Sequence, residues 1–63
     1  MKKVRVTTSK LNVRKTPHAD SEILRVVSMG NILEYTSMRH GWVRLKGTGY
    51  VMEQFVAPVE IDS

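Results

Sequence analysis

Apolar and polar residues alternate with a period of two along much of this chain. Val4 and Val6 flank Arg5, and Leu11 and Val13 flank Asn12. That is the period of a strand with one buried face. Ile23 to Val27 is apolar and rich in β-branched residues, which predicts another strand. Ile32 to Thr36 follows, with Leu33 and Tyr35 on one face. In Trp42 to Lys46, Val43 and Leu45 share one face while Trp42 and Arg44 share the other. Tyr50 and Val51 form a short strand. Phe55 to Val59 closes the pattern, and Pro58 marks a sheet edge or the end of pairing.

Turn signals separate these runs. Lys15 to Ser21 reads as a flexible loop, in which Pro17 removes a ladder donor and disfavours helix at Thr16. Ser28-Met29-Gly30-Asn31 is a turn whose glycine is free to take positive φ. Ser37 to Gly41 makes the bend of a hairpin, and Gly47-Thr48-Gly49 a tight connection. Met52-Glu53-Gln54 is expected to form a single helical turn, too short to stand alone. Signals recurring about every 8–12 residues, with no longer helical stripe, describe an all-β sandwich or barrel. No internal repeat, low-complexity segment or linker interrupts the chain. Residues 60–63 are expected to fray.

Size narrows the choice. The 63 residues make one domain, 1–63, with its core at about 4–57. A core this small leaves only a few kcal/mol of net stability. With no cysteine, neither a disulfide nor a thiolate zinc site can reinforce it. Hydrophobic residues at 41% and charged residues at 25% suit a globular chain and argue against disorder.

Charge adds a bias without choosing a partner. Ten Lys and Arg against six Asp and Glu give +4, which favours encounters with polyanions or serves solubility alone. Met1-Lys2-Lys3 resembles the basic start of a signal peptide. The segment after it alternates instead of becoming apolar, so the chain is expected to carry neither an export signal nor a transmembrane segment.

The ordered set Leu11-Asn12-Val13-Arg14, Thr16-Pro17, Ile23, Gly30, Leu33, Tyr35, Gly41-Trp42-Val43-Arg44-Leu45 and Gly49-Tyr50-Val51 resembles the bacterial Src-homology-3-like (SH3b) domain. Each motif alone is weak, but their order and spacing cover nearly the whole chain. The family often has Ser-Gly-Pro after its Arg, whereas Lys15-Thr16-Pro17 stands here. Loss of that glycine implies a differently shaped loop, or one whose backbone avoids positive φ. The eukaryotic peptide-binding branch fits poorly, because a proline-rich ligand needs a groove lined by several aromatics. This chain has one Trp, and its Thr16-to-Glu22 loop carries only Asp20 and Glu22 as acids. The resemblance implies an SH3-like barrel of about five to seven short strands with a 3-10 turn near residues 52–54. It further implies binding to cell-wall peptidoglycan, often in a peptidoglycan hydrolase such as a phage endolysin.

Candidate ligand contacts follow from the alternation. Trp42 points away from Val43 and Leu45, so it either contacts a ligand from the outer surface or covers an open end of the barrel. Tyr50 is outward if Val51 is core. Tyr35 shares the face of Leu33, which favours core packing over ligand contact, and it joins the candidates with that reservation. Asn12 points outward and could read a peptide backbone or cap a loop. Arg14 and Arg44 are outward too, suited to a carboxylate or phosphate, although solvated charge is the commoner fate.

Other chemistry is disfavoured. His18, Asp20 and Glu22 alternate, but three weak ligands in a loop without thiolate do not make a metal site. His18, Asp20 and Ser21 lack the cleft and supporting groups that a hydrolytic triad needs. No metal, cofactor or catalytic residue is expected.

Taken with these readings, the resemblance implies a non-catalytic wall-binding module that holds a lytic or remodelling enzyme on its substrate. That enzyme would lie in the same chain or in a partner, at the bacterial wall outside the cell. A chain without its own signal would arrive within a larger protein or after phage-induced lysis. Peptidoglycan or an associated anionic polymer is the expected partner, with no membrane partner. One small site binds weakly, so several copies, including an assembly of identical chains, would add avidity. The rivals are a basic barrel that stacks nucleic-acid bases and a protein-protein adaptor. Against the first, aromatics are only 6% of residues and the basic residues are dispersed.

Overall fold

The computed structural model describes residues 2–59, and the expected frayed tail at 60–63 lies outside the described residues. Strands β1 (Lys3–Val6), β2 (Lys10–Arg14), β3 (Ile23–Ser28), β4 (Ile32–Arg39), β5 (Trp42–Leu45), β6 (Tyr50–Met52) and β7 (Val56–Val59) follow in chain order. A 3-10 turn, Glu53–Phe55, precedes β7. All strand pairs are antiparallel and join into one sheet in the order β3-β2-β6-β5-β4-β1-β7. Among the described residues there is no other helix. This is the small all-β fold the pattern predicts, and it agrees with the SH3-like barrel the resemblance implies, with β3 and β7 as its edge strands.

The inward residues are those the alternation selects. Val4, Val6, Leu11, Val13, Val43, Leu45 and Val51 are buried. Leu33, Tyr35, Met38, Phe55 and Val56 pack partly buried against that cluster. Burying each such aliphatic side chain contributes about 1.5–3 kcal/mol, before the cost of ordering the chain.

Three expectations shift. The predicted bend at Ser37–Gly41 shrinks to His40-Gly41, because β4 runs on to Arg39, which pairs with Trp42. His40 (φ 52) and Gly41 (φ 81) both adopt positive φ, as the tightest hairpin turns require. The extension depends on a bulge. Tyr35 pairs with Leu45 and Ser37 with Arg44, so Thr36 is an extra residue. That insertion reverses the facing of β4. Leu33 and Tyr35 are inward before it, and Met38, opposite buried Val43, is inward after it. A uniform period of two would have turned Arg39 toward the core.

The helical turn starts at Glu53, because Met52 keeps extended backbone (φ −73, ψ 132) and pairs with Trp42. Accordingly β7 begins at Val56, and its Pro58 lies opposite Val4 on an edge strand. The third shift is in the loop after β2, which is tied together. Lys15 N–H donates to Glu22 O (2.9 Å), Ser21 N–H to His18 O (3.1 Å) and Thr16 N–H to Ser21 Oγ (2.9 Å). Arg14 Nη1 donates to Ser21 O at 2.8 Å and braces it from the sheet. Finally, apolar β3 is largely exposed. Ile23 is 47% exposed, Leu24 39% and Val26 55%, on a strand at the edge of the described sheet.

Candidate functional site

The outer face of β5 and β6 is built by register. Trp42 and Arg44 face away from buried Val43 and Leu45. Across the ladder Trp42 stands opposite Met52 and Arg44 opposite Tyr50. Pairing on both sides extends these into two rows. One runs Ser37, Arg44, Tyr50, Arg14 and Ile23 from β4 to β3. The other runs Arg39, Trp42 and Met52. Directly opposed side chains in a sheet lie close enough to interact, so an aromatic ring is flanked by guanidinium stems.

A groove of about 460 Å³ lies over these rows. Trp42, Arg44 and Tyr50 come from the sheet. Arg39 and His40 come from the β4–β5 hairpin, and Pro17 and His18 from the braced loop after β2. Among the described residues no acidic side chain lines it. The two arginines give it positive potential, and the indole and phenol give it apolar walls with polar tips. Arginine forks match planar carboxylate or phosphate oxygens.

Trp42 also lines two neighbouring depressions. One, of about 360 Å³, holds Glu53 and Gln54 beside His40 and Gly41. Glu53 N–H donates to Gly41 O at 2.8 Å, which fixes the 3-10 turn against the hairpin. The other, of about 130 Å³, brings Asn12 and Arg14 beside Trp42, Met52 and Phe55. The half-buried Trp42 is therefore a ridge between three hollows.

The sequence candidates divide accordingly. Trp42, Arg44 and Tyr50 meet in the main groove. Asn12 and Arg14 lie on the other side of the indole, and the Arg14 guanidinium is engaged with Ser21. Tyr35 is separate. It packs against the core and borders a hollow with Lys2, Glu34 and Lys46 that shares no residue with the Trp42 hollows. Sequence reasoning missed His18, Arg39, His40 and Glu53 as groove residues. A two-residue loop ending in glycine, His40-Gly41, was the available signal for the hairpin, and it would have placed Arg39 opposite Trp42. Among the described residues no group of three His, Asp or Glu side chains comes together as a metal-ligand set.

Residues 9–57 match the family model described as bacterial SH3 domain. The match takes in β2 to the start of β7 and every residue of the main groove. No curated protein and no solved structure matches the chain.

Proposed function

This chain belongs to the bacterial SH3 domain family, and from that membership we propose that it is a non-catalytic module that binds the bacterial cell wall. Its role is to hold a lytic or wall-remodelling enzyme on peptidoglycan, in the same chain or in a partner. The observation that carries this reading is the groove in which Trp42, Arg44 and Tyr50 converge beside Arg39, with no acidic residue among the described residues that line it. Half-buried aromatic walls supply contact area, and arginine forks supply directional hydrogen bonds. A groove of this size binds weakly alone, so affinity in use comes from several copies or from a tethered enzyme. Such a module acts outside the cell, at the wall.

Co-sedimentation with purified Gram-positive sacculi tests this, with untreated and teichoic-acid-stripped walls compared over a salt series. Retention on stripped walls at high salt supports peptidoglycan recognition. Loss on stripping or in salt reduces the interaction to charge attraction. Failure to bind either wall overturns the reading and favours a nucleic-acid or protein partner.

A further inference from the structure

The surface around Trp42 is polarised. On one side Arg39 and Arg44 line the main groove with no carboxylate among its lining residues. On the other, Glu53 with Gln54 lines the adjoining hollow, which contains no Lys or Arg. The indole borders both. Among the described residues the one salt bridge is Lys46–Glu34, so no other described residue forms an ion pair with Arg39, Arg44 or Glu53. Their spacing is fixed by backbone. Arg39 is held opposite Trp42 by the β4–β5 register, and the Glu53 amide is bonded to Gly41 at the tip of the same hairpin.

We propose that this surface reads a short zwitterionic peptide of the wall. Arg39 and Arg44 take its free carboxylate on one side of Trp42, and Glu53 takes its ammonium group on the other. This rests on the wall-binding reading and deepens it, by naming uncross-linked stems with a free amine and a free carboxylate as the ligand. The backbone between the two charges crosses the indole, whose face also attracts a cation approaching Glu53. Charge complementarity selects this occupant. A phosphodiester polymer would be welcome in the main groove, but crossing Trp42 would bring its next negative charge against Glu53. A neutral cross-bridge would leave both arginines without a partner.

The test is titration of the isotopically labelled chain, followed by NMR, with a synthetic wall stem tetrapeptide carrying a side-chain amine and a free terminal carboxylate. The same peptide is then used amidated at its carboxylate, acetylated at its amine, and blocked at both. Amidation should weaken binding about tenfold, the loss expected for a charge-assisted pair. Acetylation should weaken it about threefold, as suits an exposed pair. Arg44→Gln, which leaves Arg39 in place, should reduce the discrimination against the amidated peptide alone, and Glu53→Gln should abolish that against the acetylated peptide alone. Both side chains are exposed, so neither change threatens the core. Equal affinity for all four peptides overturns the zwitterion proposal and leaves wall-peptide binding standing. Absence of binding to any of the four, with the fold intact, overturns the wall-peptide reading itself.

Discussion

Tyr50 stands directly opposite Arg44 across the β5–β6 ladder and directly opposite Arg14 across the β2–β6 pairing. The two arginines are therefore equivalent in register but different in work. Arg14 is half-buried and donates to the Ser21 carbonyl, whereas Arg44 is exposed and lines the main groove.

Replacement of each arginine should separate these roles. Arg14→Gln removes a charged donor from a partly buried carbonyl, a loss of about 1.5 kcal/mol. Hydrogen exchange at the Lys15 and Ser21 amides, both bonded within that loop, should then speed up about tenfold. Arg44→Gln should leave those amides unchanged and weaken wall binding. Equal effects of both variants on loop exchange would show that Arg14 is no brace.

Trp42 borders all three hollows, so its removal should affect binding more than any other single change. For Trp42→Ala a loss of about 30-fold or more in affinity for sacculi is expected, the size seen for central aromatic anchors. The indole is half-buried, so some stability is lost as well. Near-ultraviolet circular dichroism and a urea melt establish that the variant is folded before sedimentation is compared. Trp42→Phe keeps the apolar contact and should retain intermediate binding. Full binding by a folded Trp42→Ala would remove the groove from the mechanism.

Much of this was legible in the sequence because most strands alternate without interruption. Val4, Val6, Leu11, Val13, Val43, Leu45 and Val51 are readable as core from a period of two, and they are the buried hydrophobic residues among those described. The outward position of Trp42 and Arg44 follows from the same rule. What stayed hidden depends on where the period breaks. The bulge at Thr36 swaps the faces of β4, so Arg39 joins the groove although a bend was expected there. Neither the loop brace from Arg14 nor the placement of Glu53 beside Gly41 has a local signature. Both are contacts between segments whose relation only the folded register defines.

Exposed β3 makes a different prediction. Its edge position leaves one row of backbone donors and acceptors without a strand partner, next to Ile23 and Val26. Such an edge invites pairing with another chain, and a single lysine blunts it. Val26 is 55% exposed, so Val26→Lys should change stability by less than about 0.5 kcal/mol. Aggregation at high concentration, followed by light scattering, should fall. An unchanged aggregation rate would place the sticky surface elsewhere.

The strictest backbone requirement is at Gly49, the last residue of the tight connection before β6. Its φ is +117, and a Cβ there would overlap Val13 Cγ1, a fully buried core atom that cannot swing into solvent. Gly47 provides the comparison, because its φ of +90 is equally unusual for a side chain but nothing lies within 4 Å of its would-be Cβ. Gly47→Ala therefore isolates the conformational cost, about 1 kcal/mol. Gly49→Ala adds overpacking of a dense core, for a total on the order of 2–4 kcal/mol. A domain with only a few kcal/mol of stability should then be largely unfolded at 25 °C or nearly so. Urea melts of the two variants measure the difference directly. Val13→Ala in the Gly49→Ala background removes the overlapping methyl groups and should recover part of the loss, although Val13→Ala alone destabilises. That sign reversal distinguishes a steric conflict at this site from backbone strain alone, for which the two losses would simply add.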